Sequence, residues 1–302
     1  MLSGNPATRG WPDAYDSTAL LVELEAQGEA PDLVLTADTG AEKTETYEFQ
    51  RLMREWMEER SIPYEVVRYE TKRFKNWPPY RDLTESLLTN GCLPSIAFGR
   101  HSCSLKYKAA PQEAFLKAWQ PAIEAWAAGE KVIRYIGYDA SPRDGQRYAH
   151  ARTIDDPLFD NRYPLRDWGW DRERCKARIV EAGLPVPPKS SCVFCTGMKP
   201  DEVRSLSPEW LRTIVLIEAR AAPRLKTVEG LWRRSTRTRP GRMTDFIRDE
   251  GLLPDDEITR ITESAPADLV AFQTRAASQP LEERTPMASW LERFHAGETH
   301  HA

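Results

Sequence analysis

The chain is poor in the features that mark membrane or secreted proteins. None of its 302 residues lies in a run approaching the roughly 18 continuous apolar residues of a membrane span. The opening stretch MLSGNPATRGWPDAYD has no apolar segment of the signal-peptide kind. There are five cysteines (Cys92, Cys103, Cys175, Cys192, Cys195), too few for a disulfide scaffold at this length. An excess of positive charge is also missing. Lys and Arg number 42 against 46 Asp and Glu, for a net charge of −4 and a pI near 5.9. That excludes a chain coated in basic residues for nucleic acid, but not a local basic patch. No internal repeat appears at any fixed period. The expectation is a cytoplasmic protein with reduced thiols and no membrane partner.

What remains is ordinary globular composition, 40% hydrophobic and 29% charged. Residues 17–28 have helical spacing and end at a glycine stop. DLVLTADTG, 32–40, reads as a buried parallel strand. Residues 44–62 form an amphipathic helix, 64–70 a second strand and 131–139 a third. Residues 112–130 are helical with a kink or break at Pro121, and 166–185 form a helix stopping at Gly183 and Pro185. Strands interleaved with helices predict a parallel α/β sheet. Ligands of such sheets bind beyond the carboxyl ends of the strands, here at Asp38-Thr39-Gly40 and Gly137-Tyr138-Asp139. Strand patterns stop after about residue 205. The division expected is an α/β domain over 1–205 and a helical region over 206–302, Arg-rich and then acidic.

Four stretches carry candidate chemistry. Asp16-Ser17-Thr18 opens a helix, where hydroxyls and free N–H groups suit phosphate; a plain N-cap explains the same residues. GRHSCSLKYK sets Cys103 among Arg100, His101, Lys106 and Lys108. Neighbouring cations favour a thiolate, and a solvated basic loop is the ordinary alternative. At the third, Gly137 permits close approach of a ligand and Arg143 can hold a phosphate bidentately, unless the stretch is a surface loop. The fourth is Cys192-x-x-Cys195, with Cys175 upstream. This spacing suits zinc or an iron–sulfur cluster, a redox pair, or two buried thiols. Cys92 is assigned to packing. In the Arg-rich run, Trp232 could stack a base, or the arginines could pair with the acidic tail.

Six segments in this order, DSTALL, ADTGAEKTETYEF, LPSIAFGRHSCSLKYKAAPQEAF, IGYD, YPLRDWGWDRERC and AGLPVPPKSSCVFC, resemble the phosphoadenosine phosphosulfate reductase-like proteins. These belong to the adenine nucleotide α-hydrolase superfamily. The resemblance runs from about residue 16 to about residue 205. It implies a Rossmann-like twisted parallel sheet with an adenine nucleotide at its strand ends, ATP with Mg²⁺, and ATP-dependent sulfur transfer to a nucleobase or small acceptor. Asp16, Ser17, Thr18, Asp38, Thr39 and Gly40 would contact the nucleotide, with Gly137 and Arg143 on the opposite wall. Asp38, Cys103, Lys106 and Arg143 would carry the chemistry. Cys103, Cys175, Cys192 and Cys195 would hold a four-iron, four-sulfur cluster, with zinc the alternative. A sulfur-donor protein and, through Arg220–Arg242, a nucleic-acid acceptor are the partners implied.

Two departures bear on this reading. The family's phosphate loop, Ser-Gly-Gly-x-Asp-Ser, is represented here by Pro12, Asp13, Ala14 and Tyr15 before Asp16 and Ser17. Proline lacks a donor, and Asp13 would repel phosphate. The nearest Ser-Gly is Ser3-Gly4, and the chain starts too close to the helix for a normal first strand. The family's reductases also need a nucleophilic cysteine near the C-terminus, which is missing. That favours sulfur transfer over reduction of a sulfonucleotide. A non-catalytic nucleotide-binding protein with structural zinc is the remaining alternative.

Overall fold

The computed structural model describes residues 7–9, 15–71, 78–100 and 102–298. These fall into two compact units, each assembled from separate stretches of chain.

The first unit draws on 1–38, 43–68 and 108–190. Its strands are β1 (Ala7–Arg9), β2 (Leu33–Asp38), β3 (Tyr64–Arg68), β4 (Val132–Ile136) and β5 (Phe159–Arg162), in the order β3-β2-β1-β4-β5. All pairs are parallel, with Val34 opposite Tyr64 and Val132 opposite Phe159. All six residues of β2 are buried, as expected of a strand covered on both faces. Its side chains alternate between two apolar clusters. Val34 joins Leu21, Phe49 and Met53, whereas Leu33 and Leu35 join Leu116, Val132 and Phe159. The helix Tyr15–Ala26 lies against the helix Arg172–Glu181 through Leu20, Leu24 and Ile179, and the ion pair Arg178–Glu23 at 2.5 Å ties the two.

The interleaved pattern read from the sequence is present, with differences that have local causes. The segment 112–130 is two helices, Ala110–Leu116 and Gln120–Ala127, and Pro121 occupies the first turn of the second, where its missing N–H costs nothing. The segment 166–185 holds the end of a short helix, Pro164–Asp167, and then the helix Arg172–Glu181; Asp171 caps the second by accepting from the Arg174 N–H at 2.9 Å. A first strand does exist: β1 is three residues long and pairs with β2 and β4. Ala-Thr-Arg carries no apolar run that would announce it.

The second unit comprises 39–42, 69–107 and 191–302 and is helical. The helix Pro208–Ala221 buries Leu211, Ile214, Val215, Leu216 and Ile217. A helix apolar over most of its circumference belongs inside. Helices Met243–Asp249 and Asp255–Glu263 pack on it. Phe194, Met198, Trp232 and Trp290 share this core. The grouping differs from a cut at residue 205, because residues 83–107 and 191–203 contribute to the same core as the helices that follow. No helix among the described residues is long and apolar enough to cross a membrane.

Candidate functional site

In the first unit the end of β4 meets the start of the helix Tyr15–Ala26. Gly137 makes this contact possible. A Cβ there would stand 3.1 Å from the Ser17 nitrogen and 3.2 Å from its Oγ, so Ser17 would have to give by a few tenths of an ångström. Two residues on, Asp139 is wholly buried. Its Oδ1 accepts from the Ser141 N–H at 2.9 Å and from the Ser141 hydroxyl. Its Oδ2 is buried with no hydrogen-bond partner. Ser141 then leads into the helix Pro142–Ala151, whose first turn supplies Asp144, also buried. One carboxylate oxygen from each of Asp16, Asp139 and Asp144 lies within 4.8 Å of the other two.

Three carboxylates packed this closely repel one another, and burial removes the water that would screen them. Burial, followed by Asp139 and Asp144, pushes the Asp16 carboxyl up to about 6, while Arg172 and Arg143 oppose the shift. Asp16 Oδ1 is likewise buried and unpartnered. Buried charge is stable only when paired or coordinated. Oxygen-only donors with two orphaned oxygen atoms fit a hard divalent cation such as Mg²⁺. Arg147 pairs with Asp144 at 3.2 Å, whereas Asp16 Oδ1 and Asp139 Oδ2 have no partner. Sequence reasoning found Asp16 and placed Asp139 at a strand end, but missed Asp144. The helix carrying it, for which a surface loop was one of two readings, is signalled by Ser-Pro ahead of an acidic first turn.

Of the remaining expected nucleotide contacts, Ser17, Thr18 and Arg143 lie beside the trio, and Asp38, Thr39 and Gly40 do not. Ser17 and Thr18 follow Asp16 in the helix, with Thr18 fully buried. Arg143 lies close enough to Asp16 to stabilise its charge. Asp38 ends β2, accepts from Tyr47 Oη at 2.9 Å and pairs with Arg68. It is thus an anchored residue rather than a free base. Thr39 and Gly40 belong to the second unit. There the Thr39 hydroxyl donates to Glu42 at 3.2 Å and lies 3.5 Å from Cys192 Sγ. Gly40 has φ +71°, and a Cβ on it would collide with Asp82 Cβ at 2.3 Å. Ser3, Gly4, Pro12, Asp13, Ala14 and His101 lie outside the described residues.

The thiols divide between the units. Cys175 is in the first, fully buried among Ala19, Leu20, Tyr135 and Leu165. Burial, with Asp16, Asp139 and Asp171 nearby, pushes its thiol up to about 12. Cys175 packs as a core thiol and joins no group of three ligand atoms within 4.8 Å among the described residues. Cys192 and Cys195 form a tight turn in the second unit, the Cys195 N–H donating to the Cys192 carbonyl at 2.9 Å. Cys103 lines a cavity of about 640 Å³ with Lys106 and Cys92. Its backbone N–H donates to Ser95 Oγ at 2.9 Å. Cys92 is exposed rather than packed. The Lys106 ammonium sits 4.6 Å from the centre of the Tyr69 ring and 5.0 Å from that of Tyr107. Among the described residues, Cys103, Cys192 and Cys195 do not come together within 4.8 Å as ligands of one ion would.

No protein-family model matches the chain, and no curated protein matches it either.

Proposed function

We propose that the first unit binds an adenine nucleotide with Mg²⁺ and activates an acceptor through the α-phosphate, for sulfur transfer. The observation that carries the metal–polyphosphate part is the trio of half-buried Asp16 with buried Asp139 and Asp144, with its two orphaned oxygen atoms at the carboxyl end of a parallel sheet. Asp16, Asp139 and Asp144 would hold the cation. Arg143 and the first backbone N–H groups of the helix Tyr15–Ala26 would face phosphate oxygens. The cation would neutralise charge on the leaving pyrophosphate.

The adenine base and the sulfur step rest on the resemblance of the six segments to the phosphoadenosine phosphosulfate reductase-like proteins, as does a Rossmann-like twisted sheet. In that reaction an acceptor oxygen displaces pyrophosphate from the α-phosphorus. Hydrosulfide, or the terminal sulfur of a donor persulfide, then adds at the activated carbon and AMP leaves with the former acceptor oxygen; with a persulfide, a second thiol frees the new C–S group as a disulfide forms. No step is assigned to a cluster, because no cysteine joins a group of three ligand atoms within 4.8 Å among the described residues. Cys103, Cys192 and Cys195 are the thiols open to sulfur handling.

The test is equilibrium binding of ATP with and without Mg²⁺, alongside pyrophosphate release from ATP in the presence of candidate acceptors. Binding that needs Mg²⁺ and is lost in Asp139→Asn is expected. ATP binding that is equal in EDTA and unchanged by Asp139→Asn would overturn the reading.

A further inference from the structure

The run Arg220–Arg242 carries eight cations and one acid, Glu229. Neutralisation by the acidic C-terminal stretch would be an ordinary use for it. Three of those carboxylates are engaged elsewhere: Glu250 pairs with Arg204 at 2.9 Å, Asp255 with Arg248 at 2.6 Å and Glu257 with Arg212 at 2.7 Å. Among the described residues, Arg233, Arg234, Arg237, Arg239 and Arg242 take part in no ion pair.

A merely solvated face needs no frame, and this loop has an elaborate one. At its base Glu218, 1% exposed, accepts from the N–H groups of Leu231 (2.7 Å) and Met243 (2.9 Å), and from the N–H (2.8 Å) and hydroxyl (2.6 Å) of Thr244. Glu229 accepts from Ser235 N–H at 3.2 Å, and Ser235 Oγ in turn accepts from Gly241 N–H at 3.0 Å. The Trp232 N–H donates to the Gly241 carbonyl at 3.0 Å and the Thr236 N–H to the Arg239 carbonyl at 2.8 Å. Any side chain at Gly230 or Gly241 would strike Glu218 or Glu229, at 2.4 and 2.6 Å. Arg233 is held at φ +73°, a conformation that costs a non-glycine residue free energy and clusters at functional positions.

The frame also settles the part played by Trp232. It is 2% exposed, and its indole N–H donates to the Met198 carbonyl at 2.9 Å. It is therefore the floor of the loop and not a platform for stacking a base. Above it lies a cavity of about 550 Å³ lined by Phe98, Thr227, Arg233, Arg234 and Arg239. The Arg239 guanidinium stands 4.7 Å from the centre of the Trp232 ring, and its buried Nε has no partner.

We propose that the loop Leu231–Arg242 docks the phosphodiester backbone of a nucleic acid, so that the acceptor is a base carried on a polynucleotide. The second half rests on the function proposed above. Guanidinium groups interleaved with the hydroxyls of Ser235, Thr236 and Thr238 are a donor set for phosphate oxygens. The cations are spread out: three line the cavity, whereas Arg237, Arg224 and Lys226 are exposed beyond it. That suits a repeating anion better than a single phosphorylated metabolite. An acidic protein partner would call for apolar contact area, and residues 233–242 offer almost none.

The experiment is fluorescence anisotropy of a labelled single-stranded RNA of about 20 nucleotides, titrated with the full chain between about 50 and 300 mM salt. Each phosphate contact on a single strand contributes about 0.7 to the slope of log K against log salt. The triple variant Arg233→Gln, Arg234→Gln, Arg237→Gln should therefore lose about 2 from that slope and bind on the order of 10- to 100-fold more weakly at 150 mM. Arg237→Gln alone, a change at an exposed residue, should lose about 0.7. Arg248→Gln should change neither. Mg²⁺-ATP binding should be unaffected in all three, and Asp139→Asn should keep its RNA affinity. A wild-type chain that binds Mg²⁺-ATP but no RNA, a slope unmoved in both loop variants, or equal binding of polyglutamate would each overturn the dock. Loss of ATP binding with RNA binding intact would overturn only the proposed function.

Discussion

Replacing Asp16 by Asn should stabilise the metal-free protein while abolishing its response to Mg²⁺. The carboxyl is pushed from 3.8 to about 6, chiefly by burial and then by Asp139 and Asp144. A group that holds its proton more tightly when folded makes the folded state lose stability as pH rises between its unfolded and folded values. The loss therefore builds between about pH 4 and 6 and is complete near pH 7. At 1.36 kcal/mol for each pH unit of displacement, it approaches ~3 kcal/mol. Residual solvent access, and the favourable helix dipole that Asp16 also feels (about 0.3–1 kcal/mol), bring the net to ~1–2 kcal/mol. For a chain of this size that is a rise in Tm of about 2–8 °C. The assay is thermal unfolding of wild type and Asp16→Asn at pH 5 and pH 7.5, with EDTA or with Mg²⁺. The variant should gain on wild type as pH rises in EDTA. Only wild type should gain from Mg²⁺, by about 2.7 kcal/mol at a hundredfold excess over Kd. A variant less stable than wild type at pH 7.5 in EDTA, with its Mg²⁺ response intact, would refute the reasoning.

Gly40→Ala forces a Cβ into Asp82 from a left-handed backbone and should cost about 2–4 kcal/mol in urea unfolding. Gly137→Ala presses on Ser17 by only a few tenths of an ångström. It should leave stability within ~1 kcal/mol of wild type but weaken Mg²⁺-ATP binding measured by calorimetry. Glu218→Ala would strand three buried N–H groups and should cost about 3–5 kcal/mol in the same unfolding assay. Iron and sulfide analysis of anaerobically prepared protein separates the thiols. Cys175→Ala should leave any bound metal in place, and loss of iron in that variant would restore Cys175 as a ligand.

The sequence displayed what depends on periodicity and hid what depends on burial. β2 and β4 are short apolar runs, and their carboxyl ends, with Gly137 and Asp139, were readable as ligand positions for that reason. β5, Phe-Asp-Asn-Arg, is too polar to resemble a strand, and β1 too brief. Cys175 illustrates the other limit. Cysteine number and spacing suggest a ligand, but the helix Arg172–Glu181 turns this thiol into the apolar cluster with Leu20 and Ile179. No spacing rule carries that information. Trp232 failed in the same way: an aromatic inside a basic run reads as a stacking platform until its fold turns it inward.

Net charge hides its distribution for a related physical reason. A total of −4 argues against nucleic acid only if charge is mixed evenly over the chain. Here eight cations and one acid occupy residues 220–242, so the remainder is more acidic than the total implies. At physiological salt the screening length is about 8 Å, so an approaching phosphate responds to the guanidinium groups of this loop and hardly at all to acids farther away. The acids that lie near are already committed: Glu218 and Glu229 spend their oxygens on the loop's own N–H and hydroxyl groups. The same residues that could have neutralised the arginines instead hold their backbone in place. If that division of labour is correct, Glu229→Gln should change RNA affinity through the loop's order rather than its charge. Amide exchange at residues 233–241 should accelerate in this variant, and RNA binding should weaken despite the added positive net charge. Tighter binding with unchanged exchange would show that Glu229 acts only as a local counter-charge.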